Sequence, residues 1–226
     1  MRFLLVFSLF IFHCGHLFSQ REHISLKFSP SALGDEISFP TIQAGLEWKL
    51  SDKISWYNEL GIKYRKSLLE DADSSFLPSR GFKLKTELRY YFKGRHASGL
   101  DGWYFGANGF FTRDLHNTSI LYRKDKDSAT VTGDTFGTKK NVFGINLLMG
   151  YQRNISRRFA IDMYWGFGIR FRDIQTTNQE YNEDRDGYLV TPIDVNISSM
   201  RNETDAYGGF SARPNLTLGI RICYKF

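Results

Sequence analysis

Large apolar residues recur at every second position along much of this chain, with small or polar residues between them. In the clearest run, Phe159, Ile161, Met163, Trp165, Phe167, Ile169 and Phe171 alternate with Ala160, Asp162, Tyr164, Gly166, Gly168 and Arg170. Successive side chains of a strand point to opposite faces, so a period of two predicts a strand with one apolar and one polar face. The final segment repeats the pattern, Leu216, Leu218, Ile220, Ile222, Tyr224 and Phe226 opposing Thr217, Gly219, Arg221, Cys223 and Lys225. The same rule marks residues 42–50, 54–64 (broken at Asn58), 82–92 and 143–151. Residues 24–28 and 103–111 are weaker cases, the latter without a fixed register. The sum is about eight strands, most of them long enough for the roughly 9 to 11 residues that cross a bilayer at a tilt.

The connections alternate in length. Short or moderate joints at 51–53, 93–101 and 153–157 are separated by long ones at about 66–80, 113–139 and 172–212. Outer-membrane barrels have this rhythm, with short turns facing the periplasm and long loops outside. The fold expected is therefore all-β, an eight-stranded antiparallel up-and-down transmembrane β-barrel; closure matters because a lipid-exposed edge leaves backbone groups unpaired.

Alternation alone does not say which face is outside, since a soluble barrel would hide its apolar face within. Gly45, Gly61, Gly144, Gly150, Gly166, Gly168 and Gly219 all fall on the polar face. On an outer surface they would weaken strands for no gain, whereas inside a narrow barrel they leave room for Tyr57, Tyr91, Tyr164 and the arginines. Lys or Arg toward lipid at the midplane would cost about 2 to 4 kcal/mol. The polar face is thus expected to line the lumen, where Glu47, Glu59, Glu87 and Asp162 are candidate partners for Lys49, Lys85, Arg89, Arg170 and Arg221. Eight strands give an interior that side chains fill, so a plugged lumen is expected.

The N-terminus changes the picture from shape to destination. Met1-Arg2 is positive, residues 3–12 are apolar apart from Ser8, and Leu17-Phe18-Ser19 ends on a small residue. That order reads as a cleaved signal peptide over 1–19, leaving 20–226 as the mature barrel. Lipidation at Cys14 is the alternative, but His13 stands where a small residue is wanted. Aromatics make up 16% of a chain whose mean hydropathy is only −0.36, which suits β-structure better than apolar helices. Cys223 is alone once the leader is removed, so no intramolecular disulfide is available. The net charge of +6 is carried by bases interspersed among apolar residues, which argues against nucleic acid.

The run from Phe159 to Phe171 and the close Pro214-Asn-Leu-Thr-Leu-Gly-Ile-Arg-Ile-Cys-Tyr-Lys-Phe226 together resemble the small outer-membrane barrel proteins of Bacteroidota, many of unknown function. The resemblance covers nearly the whole mature chain. It implies a cell outer-membrane location and a barrel-insertion signal in Ile222, Tyr224 and Phe226. It also implies periplasmic chaperones and the insertion machinery as partners during biogenesis, with outer-membrane lipid and lipopolysaccharide around a monomer.

Candidate chemistry is sparse. His116-Asn117-Thr118-Ser119 resembles the His-x-Ser element of lipid A deacylases, in which a histidine activates a serine, but no partner acid is recognisable. Asn182, Asp184, Asp186 and Gly187 match the first half of a calcium loop, with Ile193 where the distal Glu belongs, so a solvated acidic loop is the better reading. Asp127-Ser128-Ala129 resembles the Bacteroidota O-glycosylation acceptor, with Ser128 as the attachment point. His23 and His96 stand alone as rim residues. No catalytic, metal or cofactor site is expected. The leading expectation is a non-enzymatic outer-membrane protein with a structural or surface-interaction role; the alternatives are a lipid A or phospholipid-modifying enzyme and a narrow channel.

Overall fold

The computed structural model describes residues 24–35, 38–65, 79–92, 100–126, 129–189 and 207–226. The signal peptide, Cys14, His23, His96, Ser128 and the core of the third long connection lie outside them. Among the described residues nine strands follow in chain order: β1 (Ile24–Phe28), β2 (Thr41–Lys49), β3 (Ile54–Lys63), β4 (Arg80–Tyr91), β5 (Gly102–Arg123), β6 (Val131–Asn154), β7 (Phe159–Thr177), β8 (Gly187–Tyr188) and β9 (Gly209–Lys225). One turn of 3-10 helix, Pro30–Gly34, follows β1. No helix of the described residues is long and apolar enough to cross a membrane, which has no bearing on strands.

Every pairing is antiparallel, and eight strands form a ring. Each of β1 to β6 pairs with the next, β7 pairs with β9, and β9 pairs with β1 through Ser25↔Lys225 to Phe28↔Ile222. Two of the short turns are built alike. Leu50 and Ser51 donate their amides to the carbonyl of Ile54, and Ile155 and Ser156 donate theirs to that of Phe159, while each serine hydroxyl accepts the amide of the strand that leaves.

The polar face is the inner one. Tyr57, Glu47, Arg89, Asp162 and Arg221 are buried, while Ile145 (69%), Leu147 (62%), Leu216 (75%) and Leu218 (71%) stand exposed on the outer face. Glycines on the inner face make room for aromatic rings of neighbouring strands. A Cβ on Gly219 would lie 2.5 Å from the Tyr164 hydroxyl, and one on Gly150 would overlap the Tyr104 ring.

Two rows of aromatics bound the exposed apolar belt. The lower row includes Trp48–Trp56, Trp103–Tyr151 and Phe159–Tyr224 with ring centroids 5.6, 5.1 and 5.4 Å apart. The upper row holds Phe82–Phe111, Phe143–Phe171 and Phe171–Phe210 at 5.8, 5.2 and 6.0 Å. Phe82 to Tyr90, Trp103 to Phe111 and Phe143 to Tyr151 are each eight steps apart, about 27 Å along a strand at ~3.4 Å per residue.

The long connections differ from the sequence expectation. Where alternation predicts a loop over 113–139, β5 continues to Arg123 and β6 begins at Val131, paired without a break from Leu115↔Lys139 to Arg123↔Val131. Likewise β7 runs to Thr177 and β9 starts at Gly209, inside the loop expected over 172–212, and β8 pairs with Tyr122 and Arg123. The reason is physical: beyond the belt the two faces of a strand no longer meet different surroundings. His116, Asn117 and Thr118 are consecutive and all buried, so no alternation is left to detect.

Above the ring this hairpin forms a cap with a core of Ile120, Tyr122, Phe136 and Tyr181, against which Tyr188 packs. Asp134 accepts the amides of Glu180 and Tyr181 at 2.8 and 2.9 Å, tying the segment after β7 to β6.

Candidate functional site

Inside the lower half of the ring, six strands contribute to one ionic cluster. From β7, Asp162 Oδ2 receives Lys27 of β1 at 3.0 Å, Arg89 of β4 at 2.9 Å and Arg221 of β9 at 3.4 Å, and Oδ1 accepts the Tyr104 hydroxyl at 2.8 Å. Glu47 of β2 pairs with Lys27 at 2.8 Å and Arg89 at 3.2 Å, and accepts the hydroxyls of Ser55 at 2.6 Å and Tyr91 at 3.1 Å. Glu87 takes Arg89 at 2.7 Å and Arg221 at 3.1 Å; Glu59 of β3 takes Lys85 at 2.8 Å. Arg89 and Arg221 lie over the Tyr57 ring at 4.9 and 4.5 Å from its centroid, and Arg221 lies 3.8 Å from that of Tyr164.

Four acids thus face four bases, Lys27, Lys85, Arg89 and Arg221, and the cluster is neutral. In a low-dielectric interior an unmatched member would be costly, so matched charge is what allows so many to be buried together. Bonds such as Lys27–Asp162 and Arg221–Glu87 also cross the ring between strands that are not neighbours along it.

The structure gathers Glu47, Glu59, Lys85, Glu87, Arg89, Asp162 and Arg221 into this cluster. Lys49 sits instead at the lower rim, 3.0 Å from Asp52. Among the described residues no acid pairs with Arg170; its neighbour on β9 is Arg213, a correction to the expected pairing. The sequence reading passed over Lys27, although its place between Leu26 and Phe28 assigns it to the inner face, and over Tyr104, whose register it left open. Ile222 and Tyr224 lie near the end of β9 and Phe226 just after it: Tyr224 pairs with Leu26 and Phe159, Ile222 with Phe28 and Ile161, and the Phe226 amide donates to the Ile24 carbonyl.

The structure also places the residues of the motifs with catalytic or metal overtones. His116 and Ser119 are an odd number of residues apart on β5 and point to opposite faces. His116 Nδ1 lies 3.1 Å from Asp114, and the Ser119 hydroxyl bonds with Thr135 at 2.9 Å. Asp186 receives the Arg185 guanidinium at 2.7 and 2.8 Å and the amides of Asn182 and Asp125 at 3.0 and 3.1 Å, which closes a turn beside the tip of the β5–β6 hairpin. The Arg185 bond, followed by those amides, holds the Asp186 carboxyl well below the usual carboxylate range. Among the described residues no three His, Cys, Asp or Glu side chains come together as a metal site. An open depression of about 610 Å³ lies between β2, β3, β4 and β5 and is lined by Leu46, Trp48, Leu60, Leu84 and Phe111.

Fold and interior together define a class, a ring of antiparallel strands with a neutral ionic core and an apolar exterior. A family model described as "protein of unknown function (DUF3575)" matches residues 7–198, and the chain belongs to that family. No curated protein and no solved structure matches it.

Proposed function

We propose that the chain is an integral outer-membrane protein, an eight-stranded up-and-down transmembrane β-barrel exported by its signal peptide, with a structural or surface-interaction role. Its partners are then outer-membrane lipid and lipopolysaccharide, and, during biogenesis, periplasmic chaperones and an insertion machinery that reads Ile222, Tyr224 and Phe226. The observation that carries this reading is the exposed belt of Ile, Leu and Phe around the ring, held between two aromatic rows. Tilted by 35–45°, the spacing of about 27 Å along the strand becomes about 20 Å, near the height of the apolar band of such barrels. In water a contiguous apolar surface of this kind, well above a few hundred Å², drives association. The filled ionic interior supports a structural role over a wide pore, and the ordered cap on β5 and β6 would be the part presented to the exterior.

The test is refolding of the urea-unfolded mature chain into short-chain phosphatidylcholine vesicles, followed by heat-modifiable gel mobility. Leu147→Arg, on the exposed belt, is expected to lower stability in vesicles by about 2–4 kcal/mol. Val131→Arg, exposed on the cap, should stay within about 0.5 kcal/mol. A chain that folds as a monomer without detergent, ignores vesicles and tolerates Leu147→Arg would end the proposal.

A further inference from the structure

Charge is divided unevenly within the ring. The lower cluster is neutral, and higher up Lys63 pairs with Asp114 at 2.8 Å and Lys83 with Asp35 at 2.8 Å. Arg170 of β7 and Arg213 of β9 stand directly opposite each other on the inner face. Among the described residues neither has a hydrogen bond or an ion pair, and the Nε of Arg170 is buried without a partner. Like charges directly opposite on antiparallel strands repel, and an anion between them would relieve that repulsion. Paired guanidinium forks match the oxygens of a phosphate.

The pairing of β9 with β1 that closes the ring stops short of this pair, and just above β1 the 3-10 turn Pro30–Gly34 packs against both β2 and β9. While β9 is bonded to β7 from Gly209 to Tyr224, it is bonded to β1 only from Ile222 to Lys225. One step above, the Ser31 hydroxyl takes over, accepting the Ile220 amide at 3.3 Å and donating to the Ile220 carbonyl at 3.4 Å. The backbone groups of Leu218, Leu216, Pro214, Ala212 and Phe210 face the same side, and among the described residues they have no partner. Pro214 suits such an edge because it has no N–H to leave unpaired. The open stretch reaches from the upper aromatic row, at Phe210, halfway down the belt. Arg170 precedes Phe171 of that row and so lies at its height, where headgroups would begin if the belt is in lipid.

We infer that the upper interior takes the anionic headgroup of an outer-leaflet lipid, admitted sideways past the free edge of β9 and held by Arg170 and Arg213. This rests on the transmembrane reading. The free edge supplies the entry, the exposed Leu216 and Leu218 flank it with apolar surface for acyl chains, and the arginines supply the charge.

The test uses the mature full chain in detergent micelles, with phosphatidylglycerol, chain-matched phosphatidylcholine and inorganic phosphate as probes in native mass spectrometry. Retention of phosphatidylglycerol over phosphatidylcholine is expected, and R170Q/R213Q should lower it about ten- to a hundredfold, the range for lost charge-assisted hydrogen bonds. K49Q should leave it unchanged. A diazirine-headgroup phosphatidylglycerol should label residues 210–218. Equal retention by wild type and R170Q/R213Q, label confined elsewhere, or inorganic phosphate protecting as well as lipid, an adventitious ion only, would each overturn the inference. Vesicle insertion is scored on the same samples: wild type that inserts but retains no phosphatidylglycerol defeats the headgroup site alone, whereas failure to insert defeats the transmembrane reading.

Discussion

Asp162 is the residue on which the interior converges, since Lys27, Arg89 and Arg221 all reach one of its oxygens. Removing it leaves three buried cations short of a partner. Asp162→Ala is expected to cost about 3–5 kcal/mol, read as a lowered urea midpoint for unfolding from vesicles. A loss under about 1 kcal/mol would be that of an exposed pair and would contradict a tight core. Asp186 behaves differently because it serves a local turn. Its carboxyl titrates below the ordinary carboxylate value, so its contribution is fully present above about pH 4 and is lost as pH falls further. The protection of the Asn182 and Asp125 amides, relative to the intrinsic exchange rate at each pH, should therefore fall below about pH 4, and Asp186→Asn should remove that acid dependence while lowering protection at neutral pH.

At this scale the sequence told which face a side chain occupies but not which layer. A period of two assigns Glu47, Arg89 and Asp162 to one side of their strands, because lipid-like and polar surroundings demand different side chains. Cross-ring neighbours depend on register and stagger, which alternation does not contain. That is why Arg170 was grouped with the acids although it stands a layer above them, opposite Arg213.

Among the elements, β5 and β6 depart most from expectation. Their lower halves, such as Phe143 to Tyr151, were legible because one face is apolar. Their upper halves were not, since Thr118, Thr138 and Asp134 are buried polar residues that look like loop in a linear reading. What holds the upper hairpin is the aromatic core, in which Tyr122 and Tyr181 meet edge to face with centroids 5.6 Å apart. Truncating Tyr181 should loosen it, as large-to-small changes in an aromatic core cost about 3–5 kcal/mol. Tyr181→Ala is expected to speed hydrogen exchange along residues 118–122 and 134–138 and to leave β2 and β3 unchanged. Uniform acceleration throughout the ring would show instead that cap and ring unfold as one.

For the whole molecule, closure has a temporal cost. The register that joins the first strand to the last brings Ser25 opposite Lys225, two hundred positions later in the chain. Contacts of such sequence separation form slowly, because the loop entropy is lost before any pairing repays it. No amount of early synthesis lets the N-terminal strand find its mate, so the circle can be completed only after the last strand has been made. A molecule built this way keeps two unpaired edges until its final residues exist.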